Sequence, residues 1–253
     1  MVTYFCVRSL QQIRTRLVLL ASPQFTYNYR KDMSNYNYAH NDTSSGERKS
    51  VTAQFNRPCI PSQIQQMRES AFVRKIPTAD DETLNFLITL LSSKNPENIL
   101  ELGTAIGISG AVMLNVCKSA HLTTVERDGQ FFQEAQANFT ALNLTDRVTA
   151  ICGDAGEIIK DIEGNFDFIF LDSAKVQYIK YLPRLKQLLT KGGILLADDI
   201  LLYGWLTGET EIPKKRKMLA RHVKEYIDAV TADKELSTTI LNIGDGLAMS
   251  VKL

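Results

Sequence analysis

The chain has 253 residues, 44% hydrophobic and 23% charged, with a formal net charge of +1. That is the balance of a soluble globular protein with room for one α/β domain and an extension, and no global field draws it to nucleic acid. Cys6, Cys59, Cys117 and Cys152 are scattered, with no CxxC pair and three histidines in all, which argues against a zinc site or a disulfide framework and suits a reducing cytoplasm. No apolar run approaches the roughly 18 to 20 residues that span a bilayer.

Residues 1–60 read as a disordered or leader-like extension. No acidic residue precedes Asp32, whereas Arg8, Arg14, Arg16, Arg30 and Lys31 are basic. The apolar stretch Leu17 to Ala21 is too short for a signal core. Three readings of the first 32 residues stand side by side: a targeting leader, a nucleic-acid-binding arm, or sequence upstream of a start at Met33. The region Tyr27 to Ser50 is rich in Asn, Ser and Tyr and poor in core-forming residues.

A single domain is expected over 61–253. Helical periodicity covers roughly 61–74 and 79–93, the second opening on Thr78, Asp80 and Asp81 as capping residues. Apolar strand runs follow at Asn98–Leu102, Leu122–Glu126, Val148–Ile151, Asp167–Leu171 and Gly193–Ala197, with helices near 107–118, 129–142, 155–162 and 176–190 between them. Such alternation predicts a doubly wound, mostly parallel sheet covered on both faces. After Ile212 a long helix runs to about Ala232. Ser237–Asn242 and Leu247–Lys252, joined by Gly244-Asp245-Gly246, then predict an antiparallel β-hairpin on a tight turn. The total is seven strands in a doubly wound, Rossmann-like sheet that ends in an antiparallel hairpin.

The first strand ends in Glu101-Leu102-Gly103-Thr104-Ala105-Ile106-Gly107, and Ile108-Ser109-Gly110 opens a helix. Glycines at a strand-to-helix turn let backbone approach a ligand. The loop reads GxxxG after an acidic residue, not GxGxxG. Glu101 would repel a pyrophosphate but suits, directly or through water, the ammonium of a methionine moiety. S-adenosylmethionine is therefore expected as cofactor rather than NAD. Glu126, at the end of the second strand, can accept hydrogen bonds from both ribose hydroxyls. After the third strand, Asp154 or the amide of Ala155 can meet an adenine edge.

The fourth and fifth strands end in Asp172 and in Asp198-Asp199. These three carboxylates on neighbouring strands form a hard oxygen set, expected to bind Mg²⁺ or another hard dication. A dication activates a hydroxyl as nucleophile, and Lys175, three residues beyond Asp172, is near enough to take its proton. Beside a cation the lysine's pKa would fall, making it a usable base.

ILELGTAIGISG, TTVERD, ICGDAGE, FIFLDSAKVQY and LLADDILLYG resemble, in order, the motifs of the metal-dependent O-methyltransferases that include the catechol and caffeoyl-CoA enzymes. The likeness spans about residues 65–253. IPTADDETLNFL, PKKRKMLARHVKEY and IGDGLAMSVK resemble most the bacterial tRNA 5-hydroxyuridine branch of that family. The resemblance implies methylation of the 5-hydroxyl of a wobble uridine in the anticodon region, with Mg²⁺ on Asp172, Asp198 and Asp199. It implies catalysis by Lys175 with Asp172, cofactor contacts at Ala79, Gly103, Ser109, Glu126, Asp154, Ala155 and Asp172, and a homodimer. The family usually carries Asp-Asn where this chain has Asp198-Asp199, and the match is poor before residue 61. Lys214, Lys215, Arg216, Lys217, Arg221 and Lys224 form a basic cluster that suits RNA phosphates. Tyr178, Tyr203 and Trp205 suit stacking on a base, or equally on the ring of a small catechol-like phenol.

Overall fold

Strands with two apolar faces need cover on both sides, and the five central runs receive it. In the computed structural model of the protein, which describes residues 55–253, they form β1 (Asn98–Leu102), β2 (His121–Glu126), β3 (Val148–Cys152), β4 (Phe166–Leu171) and β5 (Leu189–Ala197). Two helices, α1 (Ser62–Val73) and α2 (Asp81–Lys94), precede them. Between them come α3 (Ile108–Val116), α4 (Gly129–Ala141), α5 (Ala155–Asp161) and α6 (Tyr178–Leu188). After β5 come α7 (Lys217–Ala232), β6 (Leu236–Leu241) and β7 (Leu247–Lys252).

The sheet order is β3-β2-β1-β4-β5-β7-β6, parallel from β3 through β5, with β7 antiparallel to both β5 and β6. Alternate residues of the central strands divide between two cores. Ile99, Phe168, Phe170, Ile194 and Leu196 pack with α1 to α4, while Leu100, Ile169, Leu171, Leu195 and Ala197 pack with α5 to α7. This period-2 division makes the fold doubly wound and seven-stranded, as the alternation predicts. The strand order reverses between β1 and β4, the switch point at whose carboxyl edge such sheets bind ligands.

Local details differ from expectation. β5 begins at Leu189, earlier than Gly193, because Leu189 pairs with Phe166 across a register shift in β4. The β6–β7 connection spans residues 242–246, longer than a two-residue tight turn, since Ile240 pairs with Ala248 and Leu241 with Leu247. The basic segment does not start as α-helix: Lys214–Arg216 form a 3₁₀ turn ahead of α7. The expected extension lies outside the described residues, save for 55–60. No helix among the described residues is long and apolar enough to cross a membrane.

Candidate active site

Gly103 fixes the centre of the site. Its φ is 107°, and a Cβ there would sit 1.9 Å from the carbonyl oxygen of Asp172. The Asp172 N–H donates to Leu102 O at 3.0 Å, so the ends of β1 and β4 are locked together with no room for a side chain. Gly107, with φ 86°, then starts α3.

Glu101 is fully buried. Ser109 Oγ donates to its Oε1 at 2.5 Å and Thr124 Oγ1 to its Oε2 at 2.6 Å, while Thr124 Oγ1 also lies 2.5 Å from Thr104 Oγ1. Desolvation raises the carboxyl from 4.5 to about 7, against the two hydrogen bonds that favour its charged form. Glu101 and Ser109 therefore belong to one hydrogen-bond network.

Glu126 is half-buried at the end of β2. Its Oε2 accepts from Ala105 N–H at 2.8 Å and its Oε1 from Asp128 N–H at 2.8 Å, which ties the glycine loop to the second strand and leaves lone pairs on both oxygens. Asp154 is exposed and caps α5 by accepting from Gly156 N–H at 2.9 Å, with Ala155 as the first helical residue. Ala79 is half-buried against the α1–α4 core and precedes Asp80, the N-cap of α2.

The carboxylates at the ends of β4 and β5 face one another around a lysine. Lys175 Nζ lies 3.2 Å from Asp172 Oδ1 and 2.7 Å from Asp199 Oδ2. Asp198 is buried and its Oδ1 accepts from Asp199 N–H at 2.7 Å, a bond that helps hold Asp199 at φ 56°. Burial raises Asp172 and Asp198, and the negative charge of Asp199 raises both further. Two carboxylates that sequence reasoning assigned elsewhere share this field. Asp80 and Asp245 both feel Asp199, and burial lifts Asp245 to about 7. Their only signals in sequence were a capping position and a glycine turn.

Among the described residues no group of three or more Asp, Glu, His or Cys side chains is placed to hold a metal ion. The Lys175 ammonium stands between Asp172 and Asp199 instead. Burial alone would lower the lysine's pKa, but the carboxylates of Asp172 and Asp199 hold it well above its ordinary value; the expected fall applies with a dication bound beside it. The donor chemistry still fits a hard dication, since only carboxylate oxygen is offered and its crowding is unfavourable.

Tyr178 is likewise not open to a substrate. It is fully buried, donates to Leu171 O at 3.0 Å and packs edge-on against Tyr226 at 5.4 Å. Tyr203 and Trp205, in the loop after β5, do form an edge-to-face pair at 5.6 Å, with Tyr203 exposed. The six-residue basic cluster reduces to four. Arg221 is paired with Glu225 and Lys224 with Asp228, whereas Lys214, Lys215, Arg216 and Lys217 are exposed and without an ion pair among the described residues. The charges of Lys175 and Arg216 both act on the Tyr203 hydroxyl, and the basic turn leads into α7, whose Tyr226 packs on Tyr178 near Lys175.

This arrangement has counterparts among known proteins. A family model described as O-methyltransferase matches residues 50–253. A caffeoyl-CoA O-methyltransferase of Populus kitakamiensis is 24% identical over 206 residues, covering 76% of this chain and 86% of its own length. A candidate caffeoyl-CoA O-methyltransferase from Staphylococcus aureus has a solved structure that matches with TM-score 0.70 at 32% identity, over 79% of this chain and 95% of that one. The S-adenosylhomocysteine-bound methyltransferase of Podospora anserina matches with TM-score 0.73 over 79% and 92%, and at 22% identity it shares the fold. The chain belongs to the O-methyltransferase family, S-adenosylmethionine-dependent enzymes built on this doubly wound sheet.

Proposed function

We propose that the chain transfers methyl from S-adenosylmethionine to the 5-hydroxyl of 5-hydroxyuridine in the anticodon region of tRNA, giving 5-methoxyuridine. The observation that carries the choice of acceptor is the basic turn Lys214–Lys217. Four exposed cations without ion pairs among the described residues lead into α7, which packs beside the Lys175 turn, and backbone phosphates flanking an extruded base would meet them.

In this reading the methyl donor lies across the switch point. Gly103 admits its backbone-hugging portion, Ser109 (oriented by Glu101) meets the amino-acid end, Glu126 accepts from the ribose, and Asp154 or the Ala155 amide meets the adenine. Ala79 and Asp172 border the methionine portion. The acceptor oxygen attacks the methyl carbon, the carbon–sulfur bond breaks to leave S-adenosylhomocysteine, and the hydroxyl proton passes to solvent at the open side of the site, where the Asp199 side chain is 40% exposed. The Lys175 ammonium stabilises the oxyanion as it forms, a preorganised charge in a partly buried site. Mg²⁺ belongs to the reading on donor chemistry: Asp172, Asp198 and Asp199 would hold it. When bound, it supplies a lower pKa for the acceptor hydroxyl. A cytoplasmic homodimer is the setting that the family resemblance implies.

A second reading, methylation of a small catechol-like phenol, is favoured by the relatives named for caffeoyl-CoA and flavonoid substrates and by the Tyr203–Trp205 pair. The test is nucleoside analysis of tRNA from cells lacking the protein. Accumulated 5-hydroxyuridine with lost 5-methoxyuridine supports the tRNA reading. Undiminished 5-methoxyuridine, with methylation of a catechol by the purified protein, supports the phenol.

A further inference from the structure

The chain after β5 turns sharply just beyond Asp199. Leu202 and Tyr203 have φ of 51° and 59°, and Gly204 follows at 80°. Two successive non-glycine residues in the left-handed region cost on the order of 1 kcal/mol or more each, and persist only where the surroundings enforce them. The β6–β7 loop provides that enforcement. Ile200 N–H donates to Gly246 O at 3.0 Å and Leu201 N–H to Asp245 O at 2.8 Å. Tyr203 N–H donates to Asp245 Oδ1 at 2.6 Å. Within the strained turn itself, Trp205 N–H donates to Leu202 O at 3.0 Å and Thr210 Oγ1 to Tyr203 O at 2.7 Å. Of the three bonds to the β6–β7 loop, only that from Tyr203 to Asp245 acts within this turn, and it alone of the three depends on a side chain.

Two observations indicate that this aspartate serves more than stability. The approach of the two loops needs Gly246, whose φ is 91° and whose Cβ would meet Leu201 Cγ at 2.2 Å. Asp245 Oδ2 is buried with no hydrogen-bond partner among the described residues. Such an orphaned oxygen is unfavourable by about 1–3 kcal/mol, and breaches of this kind concentrate at functional sites. What the bond holds in place is the aromatic pair. Tyr203 is 42% exposed and meets Trp205 edge-to-face. Tyr203 lies four residues beyond Asp199 in the chain, and its hydroxyl feels the charges of both Asp199 and Lys175.

We propose that Asp245 is a positioning residue for the methyl transfer: its carboxylate fixes the left-handed turn at Leu202–Gly204 and so sets Tyr203 and Trp205 as a wall against the flat ring that bears the acceptor hydroxyl. The inference rests on the O-methyltransferase reading but on neither choice of acceptor, because a uracil and a phenol both present a planar ring.

Trp205 is the sole tryptophan of the chain, so its fluorescence reports on this loop without any substrate. Asp245→Ala is expected to raise acrylamide quenching of Trp205 at least twofold and the acceptor KM about tenfold. Its kcat stays within threefold and its S-adenosylmethionine Kd, by calorimetry, is unchanged. Asp245→Asn keeps the acceptor oxygen for Tyr203 N–H and restores both quenching and KM. Tyr203→Ala, which leaves Asp245 in place, raises the acceptor KM in the same way and serves as the readout should Asp245→Ala fail to fold. Unchanged quenching in Asp245→Ala, failure of Asp245→Asn to rescue, or an acceptor KM within twofold of wild type in Tyr203→Ala overturns the proposal. If neither tRNA nor a catechol is methylated, the acceptor reading has failed and the quenching comparison still decides the role of Asp245.

Discussion

Replacing Glu101 with glutamine keeps the side chain's shape and removes its capacity to ionise, which lets the cost of burying it be measured. The carboxyl is fully buried and desolvation raises it from 4.5 to about 7. Below pH 4.5 both folded and unfolded chains hold the proton. Between 4.5 and about 7 the unfolded chain releases it while the folded chain keeps it, so stability falls as pH rises through that window. Above the window both forms are ionised and the folded state carries the whole penalty, on the order of 3 kcal/mol at about 1.4 kcal/mol per pH unit. The glutamine variant has no such dependence. Its amide cannot accept from both hydroxyls, so Thr124 must turn its proton toward Thr104, 2.5 Å away, at a loss of about 1 kcal/mol. The variant should thus be about 1 kcal/mol less stable than wild type at pH 4.5 and about 2 kcal/mol more stable at pH 7.5. Urea unfolding of both proteins at the two pH values, in chelator-containing buffer, measures this difference of differences. Subtraction cancels the other raised carboxyls. A stability difference that does not change with pH would refute the reasoning, because Glu101 would then share one ionisation state in the folded and unfolded chains. At pH 7.5 the same variant should bind S-adenosylmethionine more weakly, having lost the charge behind Ser109, so stability would rise as binding falls.

Gly103→Ala places a Cβ 1.9 Å from Asp172 O at a φ of 107°, and is expected to lose about 3 kcal/mol or more of stability and measurable S-adenosylmethionine binding, read by thermal melts and calorimetry. Replacing Lys214, Lys215, Arg216 and Lys217 with alanine should weaken tRNA binding and reduce the slope of log affinity against log salt by roughly 3, at about 0.7 to 0.9 per phosphate contact, with donor binding unchanged. An unaltered slope would remove the basic turn from the tRNA interface. Lys175→Met should slow transfer by about 10²–10³, and leaves Asp172 and Asp199 without their ammonium. The stability loss should be about 1–3 kcal/mol, at the low end because the Asp199 side chain is 40% exposed. If these carboxylates accept a dication, Mg²⁺ raises the melting midpoint of this variant more than that of wild type. No Mg²⁺ response in either protein would exclude the three-aspartate site.

What the sequence could show depended on whether the signal was periodic. Ile99 and Leu100, or Phe168 and Ile169, both had to be buried because the strands carry no polar face, and they divide between the two cores as adjacent strand residues must. Strand-end carboxylates were legible for the same reason: Glu101, Glu126, Asp172 and Asp198 each follow an apolar run that points to one rim. Tyr178 was legible too, in principle, because Tyr178, Tyr181, Leu182, Leu185 and Leu188 recur at helical spacing and are all buried. Asp80 and Asp245 belong to another category. One caps α2 and the other lies in a glycine-rich loop, and each reaches the acidic centre because distant elements of the sheet bring its loop there. The charge state of Lys175 follows from the same convergence. A lysine three residues after an aspartate shows one ion-pair partner in the sequence, whereas the assembled site brings two carboxylates, Asp172 and Asp199, to it. Periodicity thus places side chains on a face, whereas the balance of charge inside the site is a property of tertiary proximity.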